Sequence, residues 1–72
     1  MAQQTKNAIR RAFIQLLNER PLDKISIKDI AEKGAVNRNT FYYYYADIYA
    51  LVEDILQLEI QDFQSKLRRY DS

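Results

Sequence analysis

Hydrogen-bonding side chains stand directly before an aromatic run in the middle of the chain. Asn37, Arg38, Asn39 and Thr40 lead into the five aromatic residues at positions 41–45. An arginine guanidinium can bind the major-groove edge of guanine through two hydrogen bonds, and an asparagine amide can do the same with adenine. Phenol hydroxyls donate to phosphate oxygens, and their rings pack on sugars or on thymine methyl groups. This combination is typical of a surface that reads a nucleic acid, provided that a helix presents it to solvent.

The aromatic run cannot enter a core as a whole, because successive helical residues are rotated by about 100°. Phe41 and Tyr45 are four residues apart, so they share a helix face and are expected to enter the core. Tyr42 and Tyr43 then point outward, and Tyr44 lies at the boundary. A simpler interpretation, in which the tyrosines only fill a thin core and pad the last helix, stays open at this point.

The composition excludes most catalytic chemistry. The chain has 72 residues with no His and no Cys, so the usual zinc sites and Ser-His or Cys-His arrangements cannot be built. The remaining titratable side chains are spread along solvated faces, and we expect no enzyme, no cofactor and no metal. One Gly and one Pro favour helices over a turn-rich β fold. No apolar run approaches the ~20 residues that span a bilayer, so no membrane partner is expected.

Charge divides the chain into two halves. Residues 1–45 carry eight Lys or Arg and four Asp or Glu, a net charge of +4. Residues 46–72 carry three Lys or Arg and six Asp or Glu, a net charge of −3. A basic half joined to an acidic half suggests that only the first half meets a polyanion. Charge alone favours equally the interpretation that both halves are ordinary solvated surfaces.

The first predicted helix runs from Thr5, as its cap, to Arg20, and Pro21 prevents its continuation. Arg10 and Arg11 lie off its apolar face and are expected to meet water or a ligand. The apolar positions repeat at helical spacing: Ile9, Ala12, Phe13, Leu16 and Leu17.

A short connection and a second helix follow. Leu22 and Ile25 are expected to tuck under the connection. Ser26 with Asp29 three residues later forms a capping box, which predicts a helix over residues 27–33.

The second and third helices are joined by a tight turn. Gly34 is expected to end the second helix in the left-handed conformation. Asn37 is a good cap for a third helix over 38–44. With Val36 plugging the core from the turn, these short helices have the layout of a helix-turn-helix.

The last helix is too long for the rest of the chain to cover. Asp47 is expected to cap it, and it reaches about Tyr70. At 1.5 Å per residue it is ~35 Å long, and nothing in the first 45 residues is available to pack beyond about Leu56. Another chain or domain would have to cover the apolar residues beyond that point: Leu58, Ile60, Phe63 and Leu67.

Residues 26–45 resemble the DNA-binding domain of the TetR family of bacterial transcription regulators. The resemblance extends over about residues 5–55. It rests on the register of three segments: Ile30-Ala31, Val36 and Thr40-Phe41-Tyr42-Tyr43. It implies an all-α fold, a three-helix bundle with a helix-turn-helix followed by a long fourth helix. On this basis residues 1–46 form the DNA-binding domain, and residues 47–72 form a linker or dimerisation helix.

The resemblance also implies the partners and the site. Sequence-specific binding to double-stranded DNA is expected, by a homodimer on a palindromic operator, in a bacterial repressor located in the cytoplasm at the nucleoid. A small-molecule inducer would bind only through a domain absent from this chain. Carried over by position, the DNA-contacting residues are Ser26, Ile27, Lys28, Asn37, Arg38, Asn39, Thr40, Tyr42, Tyr43 and Tyr44.

The chain departs from the family pattern at three places. Tyr44 and Tyr45 stand where the family has His and Phe. Ile48 stands where a Lys is common, so one phosphate contact is expected to be absent. The turn reads Gly34-Ala35 where the family has Ala-Gly or Leu-Gly, which is tolerable when Ala35 keeps a negative φ.

Length is the largest departure. Family members carry a second, all-helical domain that binds the inducer and forms most of the dimer interface. We therefore expect this chain to be the N-terminal part of a longer regulator and to bind DNA weakly by itself. The alternative is a helical protein-interaction or dimerisation module that uses the apolar face of the fourth helix.

Overall fold

The computed structural model describes residues 2–71, and its regular elements are all helical. They are α1 (Ala2–Glu19), a 3-10 turn (Leu22–Lys24), α2 (Ile27–Lys33), α3 (Arg38–Tyr44) and α4 (Ile48–Asp71). The expected all-α architecture, with a helix-turn-helix and a long last helix, is confirmed.

The start of α1 differs from the prediction. The helix begins at Ala2, so Thr5 lies inside it and does not cap it. Ala and Gln are good helix formers, and these residues at positions 2–4 extend the helix toward the N-terminus. The other end lies one residue before the predicted Arg20. The helix ends at Glu19, and Pro21, which has no N–H to donate, prevents its continuation as predicted.

A single core joins all four helices. Its buried residues are Ile9, Ala12, Phe13, Leu16, Ile25, Ile30, Ala31, Phe41, Tyr45 and Leu51. Leu51 comes from α4 and is fully buried, so the first turns of α4 belong to the same core as α1 to α3. Val36 packs against this core from the turn, as expected.

The connection between α1 and α2 buries one of its two apolar side chains. Ile25 is buried, but Leu22 is 41% exposed, so the prediction that both tuck inward is wrong for Leu22. The single 3-10 turn directs Ile25 into the core and leaves Leu22 at the rim of a surface groove, beside Ile48 and Tyr49.

The far half of α4 extends beyond the core. Asp47 caps the helix as predicted, since its Oδ1 accepts a hydrogen bond of 2.8 Å from the Ala50 N–H. Every described side chain from Leu56 to Arg69 is exposed, including the apolar ones that were expected to lack a cover. Within residues 2–71, no helix combines the length and the apolar character needed to cross a membrane.

Candidate nucleic-acid interface

The N-terminus of α2 is fixed by the predicted capping box. The Ser26 hydroxyl accepts a 3.1 Å hydrogen bond from the Asp29 N–H, and the Ser26 N–H donates to the Asp29 carboxylate at 3.0 Å. The main cause that lowers the pKa of Asp29 is the hydrogen bond from the Ser26 backbone N–H. The Ser26 hydroxyl is the second cause. Arg20 lies 3.4 Å from the same carboxylate. These contacts set the orientation of α2 relative to the end of α1.

The turn between α2 and α3 closes differently from the expectation. Gly34 has φ −85°, and Ala35 takes the left-handed conformation with φ 58°. The Ala35 N–H bonds to the Glu32 carbonyl at 3.2 Å, and the Val36 N–H to the Ala31 carbonyl at 2.9 Å. This pair of bonds is a Schellman motif whose left-handed residue is Ala35. The prediction that Gly34 is left-handed is therefore wrong, and the strain falls on a residue with a Cβ.

Gly34 lies instead where α2 closely approaches α1. A Cβ at this position would lie 3.3 Å from the Ile30 carbonyl oxygen and 3.4 Å from the Ala8 carbonyl oxygen. It would also lie 3.5 Å from the Cβ of Ala12. The absence of a side chain thus lets the end of α2 pack directly against α1.

The start of α3 combines a firm cap with exposed polar side chains. The Asn37 Oδ1 accepts hydrogen bonds from the Thr40 N–H at 2.8 Å and from the Thr40 hydroxyl at 3.0 Å. This leaves the Asn37 amide NH₂ as its remaining donor group. Arg38 and Asn39 are exposed, and among the side chains that the structure describes, residues 3–69, no acidic one forms an ion pair with Arg38.

The aromatic run divides as its helical spacing predicts. Phe41 is fully buried and Tyr45 is 4% exposed, whereas Tyr42 is 52% and Tyr43 79% exposed. Tyr44 is half-buried against the core, and its ring meets that of Tyr43 edge-on at 4.9 Å between centroids. The interpretation that the tyrosines only fill the core does not hold for Tyr42 and Tyr43.

The predicted contact residues on α2 differ in their exposure. Ser26 and Lys28 are exposed, and the Lys28 ammonium lies 4.0 Å from Glu32 one helical turn later. Ile27 is half-buried and packs against the core. The structure therefore brings Ser26 and Lys28 to the surface together with the start of α3, but commits most of the Ile27 side chain to packing.

A polar cluster behind α3 was not predicted. The Tyr45 hydroxyl donates to the Asp54 Oδ2 at 2.5 Å, and the Arg10 Nε donates to the same oxygen at 3.0 Å. The Lys6 ammonium lies 3.9 Å away from it. Arg10 also donates to the Asn7 side-chain oxygen at 2.6 Å, so the prediction that Arg10 faces water or a ligand is wrong. The cluster ties the end of α3 to α1 and α4.

The cluster shifts the pKa values of two of its members. Burial, together with the hydrogen bond to Asp54, raises the pKa of Tyr45 to about 12. The hydrogen bond from Tyr45 is the main cause that lowers the pKa of Asp54, and the bond from Arg10 adds to it. Tyr45 thus stays a donor and Asp54 an acceptor near neutral pH.

The sequence holds only a weak signal for this cluster. Lys6 and Arg10 share one face of α1 at a spacing of four residues, which marks a basic stripe. Asp54 lies 44 residues beyond Arg10, and only the packing of α4 on α1 brings them together.

These features define a class of protein. Two short helices joined by a tight turn, with the polar start of the second helix and its outward tyrosines on the surface, form a helix-turn-helix of the DNA-binding type. The sequence pattern of the bacterial regulatory proteins of the TetR family matches residues 9–55, more than half of the chain. The chain belongs to this family, and its helix-turn-helix is the DNA-binding element of a transcriptional regulator.

Two curated relatives from Bacillus subtilis (strain 168) support this assignment. The uncharacterized HTH-type transcriptional regulator YxbF is 33% identical over 57 residues, which cover 79% of this chain and 15% of YxbF. The uncharacterized HTH-type transcriptional regulator YvdT is 39% identical over 49 residues, which cover 68% of this chain and 25% of YvdT. The chain thus spans a quarter or less of the length of these relatives. No solved structure gave a significant match.

Proposed function

We propose that residues 26–44 read double-stranded DNA in a sequence-specific manner, with α3 in the major groove. The observation that carries this proposal is the division of α3 into two faces. Phe41 is fully buried, while Arg38 and Asn39 stand exposed at the helix start and Tyr43 is 79% exposed. A recognition helix needs this arrangement, because its N-terminal side chains must reach base edges while its other face is held by the protein.

Each exposed group has a proposed role. Arg38 and Asn39 contact base edges, because guanidinium and amide groups can form paired hydrogen bonds there. Tyr42 and Tyr43 contact phosphates and sugars beside the groove. Lys28 lies at the start of α2 and neutralises a phosphate.

The side chains of the remaining predicted contact residues are partly committed to helix caps or to packing. Ser26 and Asn37 use their side-chain oxygens as helix caps. Thr40 and Tyr44 are half-buried at the margin of the same surface. Ile27 contributes through packing that holds α2 in place. These residues hold the exposed contact residues in position and contact DNA at the edges of the interface.

For the intact regulator we propose a homodimer on a palindromic operator. An isolated helix-turn-helix supplies one recognition helix, and two-fold symmetry doubles the contacts on a symmetric site. Repression of transcription in the bacterial cytoplasm, relieved by a small molecule bound outside this chain, is the regulation that we propose from the family.

The test is DNA binding measured by fluorescence anisotropy at several salt concentrations, with a duplex selected from a random pool. Arg38→Ala should weaken binding to the selected duplex by about tenfold or more, and should reduce the preference over random DNA. Lys28→Ala should weaken both duplexes alike and lower the salt slope by about 1.

Arg11→Ala is the matched control. Arg11 is exposed on α1, beside Glu59 of α4 and away from α3, and its removal changes the charge by the same amount. Affinity that does not change with salt, or an equal loss for Arg11→Ala and Arg38→Ala, would contradict the proposed interface.

A further inference from the structure

The third helix is too short to fix its own direction. It has seven residues, about two turns, whereas isolated helices below ~12–15 residues are marginal in water. Its start is held by Val36 of the turn, and its middle by the fully buried Phe41. The chain leaves the helix at Tyr45, where the backbone is extended with φ −137° and ψ 128°. The direction of α3 therefore also depends on what holds Tyr45.

The Tyr45 side chain is held by groups from two other helices. Its hydroxyl donates to the Asp54 Oδ2 of α4 at 2.5 Å, and the Arg10 Nε of α1 donates to the same oxygen at 3.0 Å. The Lys6 ammonium of α1 lies 5.6 Å from the centre of the Tyr45 ring, a distance typical of a cation–π contact. One carboxylate oxygen thus joins the end of α3 to both α1 and α4.

This contact is more than packing of the Tyr45 ring. Tyr45 stands where the TetR pattern has Phe, and a Phe ring would fill the same space in the core without reaching Asp54 as a donor. Hydrogen bonds to a charged acceptor are among the stronger ones. The Tyr45 residue is only 4% exposed and the Arg10 side chain 11%, so water competes little for these donors. The hydroxyl therefore adds a directional link that the ring alone does not provide.

We propose that Asp54 is a positioning residue for DNA reading, which through Tyr45 fixes the direction of α3 and thereby the placement of Arg38 and Asn39. This inference rests on the proposed function of α3. Asp54 itself lies on α4, behind the recognition helix, and makes no contact with DNA in this proposal. It acts only by holding the helix that carries the exposed contact residues.

Small changes in helix direction matter for base reading. Arg38 begins α3 three residues before Phe41, about 4.5 Å along the helix axis. A tilt of about 10° around Phe41 would move the Arg38 backbone by about 0.8 Å, and binding groups must be held to within about 0.5 Å. Paired hydrogen bonds to a base edge are lost by such a shift, whereas phosphate contacts by flexible side chains adapt to it. Loss of the link should therefore lower sequence preference more than overall affinity.

The first test compares two aspartates of α4. Asp54→Ala should lower the preference for the selected duplex over random DNA by about fivefold or more, measured by fluorescence anisotropy. Asp62→Ala is the matched control, because Asp62 is also an aspartate of α4 that holds a cation, Lys66, at 3.1 Å. Both changes remove one negative charge, so neither should weaken binding to random DNA. Only Asp54→Ala should reduce the preference. Circular dichroism at the assay temperature checks that both variants are folded.

The second test removes one hydroxyl from each face of α3. Tyr45→Phe should lower the preference for the selected duplex by about three- to tenfold without changing the salt slope, because a buried hydroxyl neutralises no phosphate. Tyr43→Phe removes an exposed hydroxyl proposed to contact the DNA backbone. It should weaken both duplexes alike and leave the preference unchanged.

A double-mutant cycle tests whether the two residues act through their mutual contact. The variant with both Tyr45→Phe and Asp54→Ala should show no lower preference than Asp54→Ala alone, because the hydroxyl has then already lost its acceptor. Losses that multiply in the double variant would mean that the two side chains act independently, and would overturn the proposal.

Hydrogen exchange of the chain without DNA provides a readout that does not depend on DNA reading. Tyr45→Phe should raise the exchange rates of the hydrogen-bonded amides of α3 by about three- to tenfold relative to those of α2. Leu16→Val is the control for a general loss of stability. Leu16 is buried in the same core but lies six residues, about 9 Å, beyond Arg10 along α1. This control should change the exchange of α2 and α3 alike.

The outcomes separate the two proposals. A wild type that binds selected and random duplexes alike, with no effect of Arg38→Ala, would overturn the proposed function. Equal exchange of α2 and α3 in Tyr45→Phe would overturn the positioning role, whether or not the chain reads DNA. Full preference in Asp54→Ala or in Tyr45→Phe, with Arg38→Ala still impaired, would overturn the positioning role and leave the proposed function intact.

Discussion

The helix-turn-helix corner, residues 26–45, and the far half of α4, residues 56–69, are both helical, but they are held in different ways. In the corner, both helix starts carry side-chain caps, the turn is a Schellman motif, and each helix buries one face. In the far half of α4 the described ion pair is Lys66 with Asp62, one turn apart on the same helix. The corner is fixed by tertiary structure, and the far half of α4 by its local helical hydrogen bonds.

The exposed surfaces of the two regions differ in chemistry as well. Most outward side chains of the corner end in hydroxyl, amide or charged groups, which keep hydrogen bonds with water. The exposed apolar side chains of the far half of α4 end in methyl groups and a phenyl ring, which gain by leaving water. Residues 46–72 are also net negative, so DNA repels them. Exposure alone therefore does not indicate the partner, whereas the polar ends of the exposed side chains do.

The largest expected difference between the two regions comes from replacing one phenylalanine in each of them by alanine. Phe41→Ala should lower the free energy of unfolding by about 3–5 kcal/mol, because Phe41 is fully buried among the helices. Phe63→Ala should change it by less than about 0.5 kcal/mol in dilute solution, because Phe63 is 62% exposed. Urea denaturation followed by circular dichroism measures both, and similar losses would show that the far half of α4 is packed.

Aspartates provide a second matched pair. Asp54→Ala should cost about 1–3 kcal/mol, because Tyr45 and Arg10 lose their shared acceptor. Asp62→Ala should cost less than about 0.5 kcal/mol, because its pair with Lys66 is exposed. The pKa of Asp54 is lowered in the fold, so its stabilisation is present above its ordinary value of 3.8 and lost as the pH falls below that. The difference between wild type and Asp54→Ala should therefore shrink in acid, and a difference that grows would contradict the assignment.

Two tyrosine substitutions compare a buried side chain at the end of α3, Tyr45, with an exposed one on α3, Tyr43. Tyr45→Phe should cost about 1 kcal/mol near neutral pH, through the lost bond to Asp54. The pKa of Tyr45 is raised from 10.0 to about 12, so its contribution is present below pH 10.0 and lost as the pH rises toward about 12. Denaturation at a series of alkaline pH values should show this loss in wild type and in Tyr43→Phe. An unchanged alkaline profile in Tyr45→Phe would place the titration elsewhere.

Glycine substitutions should have opposite effects in the two regions. Ala35→Gly should raise the free energy of unfolding by about 0.5–1 kcal/mol, because the turn holds Ala35 at φ 58°. Gln61→Gly should lower the helical signal of α4 without changing global stability, because this residue has no tertiary packing. Thermal and urea melts with matched circular dichroism spectra separate the two results. A destabilised Ala35→Gly would mean that the strain at this turn is absent.

Local patterns were sufficient for most of the elements. The capping box of α2 and the Asn and Asp caps of α3 and α4 predicted where these helices start, because a cap depends on residues three positions apart. Helical periodicity also separated the inward Phe41 and Tyr45 from the outward Tyr42 and Tyr43, because residues four apart share one face of a helix. The start of α1 was misplaced, because a Thr inside good helix formers resembles a cap.

Contacts between distant segments were not predictable in this way. The left-handed residue was predicted at Gly34 but is Ala35, and Gly34 lies instead at the close approach of α2 to Ala8 and Ala12 of α1. Arg10 was predicted to face water or a ligand. Its contact with Asp54 was missed because Asp54 lies on another helix, 44 residues further along the chain.

By itself the sequence determined the helices, the caps of α2, α3 and α4, and the outward tyrosines, which depend on residues within one or two helical turns. It also determined the family, which depends on the register of residues 26–45. Only the tertiary structure decided which residue of the turn is strained, that Arg10 is bound to Asp54, and how the end of α3 is tied to α1 and α4. Hydrogen bonds and close packing between segments far apart in the chain depend on where the folded backbone places them, and local spacing carries no record of that placement.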